Sequence, residues 1–316
     1  MESLADLLKH KSNRHLLEQA EMNSMAVLSD TAVIKFRAKH PELDDTTLKL
    51  NMNRLYQYAK EYNSCSNCPG LNQCPNDMEG HYTKLTVERI NGIDYINDHK
   101  VSCKKLIAHE AQEKVRKRIR CLNMDERVLD QAYSAKDILT MDNMRLGAVQ
   151  AVFNYVNKTK ADGLQADGLY LSGSFGTGKT YLMSYLLQEL SKEGFTGVFV
   201  FMPDFVEDTK RMFQDEKRLL ETIELLKNTD LLILDDVGAE NMNAWFRDHV
   251  LASILNHRMG RKPTFYTSNH DFDGLEKHLC YTKDGNEENK GRRLMERIRP
   301  YVDYVKVEGE NKRKRR

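Results

Sequence analysis

The chain has 316 residues, of which 40% are hydrophobic and 30% charged, with a formal net charge of +1. That is room for two domains with packed cores, and so balanced a charge excludes a global field that would commit the whole chain to nucleic acid or to a membrane surface. No stretch reaches the roughly 18 continuous apolar residues of a spanning helix. The opening MESLADLLKHKS lacks a secretory pattern, so a cytoplasmic location is expected, where thiols stay reduced and the six cysteines do not read as a disulfide framework.

In chain order, helices are expected over 13–28 and from Asp30 to near Pro41. A third is expected over TTLKLNMNRLYQYAKEY, where Leu48, Met52, Leu55, Ala59 and Tyr62 fall on one face and Thr46 or Thr47 caps the start. SCSNCPGLNQCPNDMEGHY, from Ser64, is turn-forming and has little core of its own. Cys65-x-x-Cys68 places two thiolates within reach of one metal, and Cys74, His81 and Cys103 follow as further candidates for tetrahedral zinc. Five residues compete for four places. A redox C-x-x-C is the weaker alternative, because a polar, tyrosine-rich helix precedes it rather than a strand. Strand-like runs at 82–90 and 95–101 lead into a basic helical stretch over HEAQEKVRKRIRCLNMDERVLDQAY. The expected organisation is a small, mainly helical front domain (1–104), a basic helical linker (105–135) and an α/β domain (136–316).

Within the α/β domain, strand-like runs at 168–173, 197–202, 230–236, 263–269 and 301–309 alternate with amphipathic stretches. Short apolar strands separated by helices indicate a parallel sheet covered on both faces. Between the first of these strands and a helix lies Gly173-Ser174-Phe175-Gly176-Thr177-Gly178-Lys179-Thr180, a full match to G-x-x-x-x-G-K-[ST]. Its glycines let successive backbone N–H groups turn toward phosphate oxygens. Lys179 reaches the β- and γ-phosphates, Thr180 takes a place on Mg²⁺, and the helix N-terminus faces the anion. The expected binding residues run on to Tyr181.

LLILDDVGAE then brings Asp235 to a strand end, where a metal-holding carboxylate belongs, with Asp236 next to polarise water. PTFYTSN ends another strand at Asn269, whose amide can reach the γ-phosphate or the attacking water, or cap the following turn. GRRLMERIRPYVDYV carries Arg292, Arg293, Arg297 and Arg299 on a short helix before Pro300. In a ring or spiral such an arginine reaches a neighbour's γ-phosphate; on a lone chain it pairs with acids such as Glu296.

These pieces in this order resemble the AAA+ ATPases and, more specifically, the bacterial helicase loaders of the DnaI type. The stretches LYLSGSFGTGKTYLM, LLILDDVGAE, PTFYTSNHDFDGLEKH and RLMERIRPYV carry the resemblance, together with the cysteine-bearing front. It implies an AAA+ P-loop NTPase sheet flanked by helices, without a full helical lid, behind a zinc-binding N-terminal domain. It implies zinc on Cys65, Cys68, His81 and Cys103, with Cys74 as the substitute for His81. Asn269 becomes the sensor, Arg297 the finger acting in trans and Arg313 a candidate second sensor. Where many relatives have Asp-Glu this chain has Asp235-Asp236, so slow hydrolysis is expected, with Glu240 as the reserve base.

The function implied is ATP-dependent loading of a hexameric replicative helicase on single-stranded DNA, with self-association through the ATPase domain and other primosome proteins as further partners. Lys210 and Arg211 are the candidate DNA contacts. A transposase-assisting ATPase and a nucleotide-gated adaptor that barely hydrolyses are the rival readings. A small-molecule kinase would leave Asn269 and the arginine helix without a role.

Overall fold

The computed structural model describes residues 11–124, 143–212, 214–283 and 285–311. The chain divides into two units, with the division between Gln112 and Glu113.

The front unit begins with α1 (Lys11–Leu28), α2 (Thr31–Lys39), α3 (Asp45–Leu50) and α4 (Met52–Ser66). Asp30 and Asp44 cap α2 and α3 by accepting from Ala32 N and Thr47 N. Aspartate is the better N-cap, so Asp44 takes the place expected of Thr46 or Thr47. The expected single helix is broken at Asn51, whose backbone leaves the helical region and whose N–H turns back to Leu48 O. The hairpin β1 (His81–Ile90) and β2 (Ile93–Ser102) pairs in full register from His81↔Ser102 to Ile90↔Ile93. Asn91 and Gly92 form its turn at φ +51° and +83°, the two positive angles that a two-residue hairpin turn requires. Val33, Phe36, Leu48, Leu55 and Ala59 from the helices close on Leu85 and Ile96 of the hairpin.

Beneath this small core, Glu61 is buried and takes hydrogen bonds from Thr83 N, Lys100 Nζ and Gln57 Nε2. Burial alone would raise its pKa, but the bonds from Lys100, Thr83 and Gln57 outweigh burial and hold it below the ordinary glutamate value.

Helix α5 (Lys104–Arg118) crosses the division and passes directly into β3 (Ile119–Leu122). Helix was expected to continue here; instead Ile119, Cys121 and Leu122 turn an apolar edge onto a sheet. The second unit continues with α6 (Leu146–Asp162), β4 (Gly168–Ser172), α7 (Lys179–Lys192), β5 (Gly197–Phe201), α8 (Met202–Met212), α9 (Glu216–Asn228) and β6 (Leu231–Asp235). A π-helical turn over Phe246–Leu251 leads into α10 (Ala252–Arg258), followed by β7 (Thr264–Ser268), α11 (Phe272–Cys280), α12 (Glu288–Met295) and β8 (Val302–Lys306). The six strands run parallel in the order β8-β4-β7-β6-β5-β3. From β4 the chain crosses to β5 and returns through β6 to β7, so the ends of β4, β6 and β7 share one edge. Ligands of open α/β sheets bind outside such carboxyl ends.

Each of β4, β6 and β7 is buried along its whole length, as expected for a parallel sheet with helices on both faces. Leu169, Leu171, Phe199, Ile233 and Phe265 pack with α6 and α7 on one face. Tyr170, Val200, Leu232, Leu234 and Tyr266 pack with α8 to α12 on the other. Fully buried Arg258 donates to the carbonyls of Leu226, Lys227, Thr229, Asp230 and Pro263 and so fastens α10 to the loop that enters β6.

Candidate nucleotide site

The loop after β4 turns through Gly176 and Gly178, both at positive φ (+73° and +96°), and delivers Lys179 at the first position of α7. Lys179 is buried, and its Nζ donates to Gly173 O at 2.7 Å, Ser174 O at 2.9 Å and Asn269 Oδ1 at 2.9 Å. Thr177 Oγ1 donates to Ser174 O and is hidden within the loop, whereas Phe175 at its crest is 63% exposed. Tyr181 lies half-buried in the first turn of α7.

Strand β6 ends at Asp235, nearly sealed from solvent. Its carboxylate accepts from Thr180 Oγ1 at 3.0 and 3.2 Å and from Thr267 Oγ1 at 2.6 Å. Burial pushes its pKa up to about 6, against the pull of the Thr267 and Thr180 hydroxyls; the Asp236 charge adds to the rise and Lys179 opposes it. The Thr180 hydroxyl and the Asp235 carboxylate are hard oxygen donors on facing elements, a set that fits Mg²⁺ arriving with a nucleotide.

Asp236 follows in the left-handed region at φ +58°, and its N–H donates to Thr267 Oγ1 at 2.9 Å. Thr267 thereby fixes both acids, a role that sequence reading did not assign. Its signal was a hydroxyl inside an apolar strand, where valine would pack as well. Asn269 bridges the halves of the site: its Oδ1 accepts from Lys179, and its Nδ2 donates to Asp236 Oδ1 at 2.9 Å. Lys179, Thr180, Asp235, Asp236 and Asn269 are thus brought together at one edge of the sheet. The reserve candidate, Glu240, is tied elsewhere. It is buried, accepts from Gly238 N at 2.7 Å and sits 3.0 Å from His278 Nε2 on α11.

The arginines separate into two groups. Helix α12 stops at Met295, short of Arg297, and Arg299 opens a 3₁₀ turn. Arg292 pairs with Glu288 and Glu276, and Arg299 pairs with Asp273 and Glu276. Among the described residues neither Arg293 nor Arg297 has an ion pair. Arg297 lines a small cavity with Thr264, Tyr266, Lys262 and Tyr301. Thr264 begins β7, so this cavity lies at the end of the sheet away from the phosphate loop. Burial, then repulsion from Arg293, holds the Arg297 guanidinium below its ordinary pKa. On α8, Lys210 pairs with Glu207 at 2.6 Å and Arg211 is exposed. Arg313 lies outside the described residues.

The zinc set expected in the front unit is not assembled. Among the described residues, no three His, Cys, Asp or Glu side chains are placed to hold one metal ion. Each candidate has its own partner instead. His81 Nδ1 lies 2.9 Å from Glu79 O, and its Nε2 lies 3.2 Å from Ser102 Oγ. Cys65 accepts from Asn76, Cys68 from Lys105, Cys74 from Gly80 N and Cys103 from Leu106 N. The backbone bond at Gly70, then Lys105, holds the Cys68 thiol below its ordinary pKa.

Comparison with known proteins places both units. Residues 1–95 match the family described as the N-terminus of primosomal protein DnaI, and residues 101–316 match the IstB-like ATP-binding proteins. The replicative helicase loader DnaI of Bacillus subtilis (strain 168) is 33% identical over 300 residues, 94% of each chain. The chain belongs to the DnaI family of helicase loaders. A crystal structure of DnaI, 32% identical, is covered in full by 63% of this chain at a TM-score of 0.52. A putative primosome component from Streptococcus pyogenes serotype M3, 31% identical, is covered to 99% by 64% of this chain at a TM-score of 0.51. This DnaI-family chain accordingly has the AAA+ parallel-sheet fold and an ATP-binding module of the IstB-like kind. Among its described residues no helix is long and apolar enough to cross a membrane.

Proposed function

We propose that the chain is a cytoplasmic ATPase that loads a hexameric replicative helicase on single-stranded DNA, with 1–104 facing the helicase, 105–135 as linker and 136–316 as motor. The observation that carries this reading is the Asn269 bridge between Lys179 and Asp236. A side chain that touches both the phosphate-binding lysine and the acid beside the metal-binding position is placed to report a γ-phosphate. A triphosphate entering the loop competes for the Lys179 ammonium, now held by two loop carbonyls and Asn269. Freed from Lys179, Asn269 turns toward phosphate or water, and Asp236 accepts the water's proton. Mg²⁺, held by Thr180 and Asp235, neutralises charge on the phosphates when bound.

Completion of the site from outside the chain is supported by Arg297, a half-buried cation that has no ion pair among the described residues, at the other end of the sheet. A second copy of the chain docked there receives the guanidinium at its own phosphate loop, which makes hydrolysis depend on self-association. Lys210, Arg211 and Arg313 remain the candidates for DNA and nucleotide contacts. For zinc the support is the Cys65-x-x-Cys68 spacing together with the family resemblance. Metal analysis of protein purified without chelator tests it: one equivalent is expected if the thiols gather on an ion, and none if their present hydrogen bonds persist.

The second reading, a nucleotide-gated adaptor with little hydrolysis, is favoured by the short reach of Asp236. ATP turnover of the full chain, measured alone, with single-stranded DNA and with a hexameric replicative helicase, separates the two. Stimulation by helicase or DNA is expected for the loader. Tight ATP binding with turnover unmoved by any addition would replace it with the adaptor.

A further inference from the structure

The chain does not leave the phosphate loop after β8. Val307 N donates to Ser172 O at 2.6 Å, which continues the β8–β4 ladder one residue past its last pair and lays the terminal segment alongside the loop. Two of the loop's glycines are in contact with it. A Cβ on Gly173 would stand 2.1 Å from Val307 O, and one on Gly176 would stand 1.9 Å from Asn311 Oδ1. The segment is held at its far end as well: Arg145 Nη2, at the start of α6, donates to Glu310 O at 2.5 Å. Gly309, at φ +137°, passes so close that a Cβ there would meet Arg145 Nε at 2.8 Å. Val307 is buried whereas Asn311 is exposed. A strap fixed at both ends therefore exposes the side chains of Glu308, Glu310 and Asn311, and of these Asn311 is the one whose side chain lies against a loop glycine.

We infer that Asn311 is a nucleotide-contacting residue and that Val307–Asn311 is the wall of the phosphate site on its β8 side. The inference rests on the nucleotide-binding reading of the loop. A carboxamide offers both a carbonyl and an NH₂ on one rotatable bond, so it turns its NH₂ toward an anion that enters beside Gly176. Gly173 and Gly176 thus serve two purposes, the turn of the loop and close passage of the strap.

The test is titration of the full chain with a fluorescent ATP analogue. Asn311→Asp keeps the shape of the side chain, removes the donor and places a negative charge beside the phosphates. It is expected to weaken binding at least tenfold. Asn311→Ala, which removes the donor alone, is expected to weaken binding about threefold. ATP affinity within twofold of wild type in Asn311→Asp overturns the inference, and if that variant does not fold, wild-type affinity in Asn311→Ala does so. Absence of ATP binding by the wild-type chain itself would instead overturn the reading of the loop on which the inference rests.

Discussion

Asp235 and Lys179 form the charged centre of the site, and both are buried. A carboxyl whose pKa is raised to about 6 from 3.8 is harder to ionise in the folded chain than in the unfolded one. It therefore opposes folding progressively as pH rises through that interval, and above pH 6 the whole penalty is present. Asp235→Asn keeps an acceptor for Thr180 and Thr267 and removes the charge. It is expected to stabilise the nucleotide-free protein at pH 8 by at most about 3 kcal/mol, to lose that gain by pH 4, and to abolish Mg²⁺-dependent turnover. Melting curves at the two pH values check the sign. Lys179→Ala removes the ammonium that three acceptors now share and is expected to weaken ATP binding by tenfold or more. Equilibrium titration measures it, and affinity equal to wild type would remove the loop from the nucleotide site. Asp236 sits at φ +58°, where Asp and Asn are tolerated and bulkier side chains are strained. Asp236→Asn should therefore fold and bind ATP but turn over at least tenfold more slowly.

At the level of elements, Glu61 joins α4 to the hairpin through Thr83 N and Lys100. Its pKa is held low in the folded chain, so the stabilisation it gives is present above the ordinary glutamate value and is lost as pH falls below that value through the lowered one. Glu61→Ala leaves a backbone N–H and a lysine without their acceptor and is expected to cost the front unit about 1–3 kcal/mol; chemical denaturation followed by a probe in that unit measures the loss. The elements themselves were largely legible in the sequence. All five expected strands of the α/β domain formed, four of them within one residue at each end because buried parallel strands are written as apolar runs between turn residues, while the partly exposed last one, Val302–Lys306, stops three residues early. Helix breaks and caps were less legible. Asn51 interrupts a run whose apolar spacing is continuous, and Asp44 outcompetes two threonines as cap. Strand β3 was missed because four residues carry no period of their own and lie against β5 only through tertiary pairing. Of the site, the loop, both acids and Asn269 were readable as motif positions at strand ends. Thr267 and the strap were not, since their roles arise from contacts between strands distant in sequence. The cysteine spacing was readable but did not fix geometry: each thiol found a nearby donor.

On the scale of the whole molecule, the phosphate loop and Arg297, which has no ion pair among the described residues, stand at opposite ends of one sheet, and on the proposed reading each copy lends its arginine to the site of another. Arg297→Ala should bind ATP within twofold of wild type yet lose at least tenfold of assembly-dependent turnover. Mixing it with Asp235→Asn restores part of the activity if the arginine acts between copies, because some junctions then join an intact acid site to an intact arginine. Zero recovery across mixing ratios, with both variants assembling, would exclude action in trans. The strap along the loop has a practical corollary. Asn311 is five residues from Arg316, a span of at most about 17 Å when extended. An affinity tag or fluorescent protein fused there would begin within that distance of Asn311 and, if Asn311 touches nucleotide as inferred, would distort a nucleotide assay.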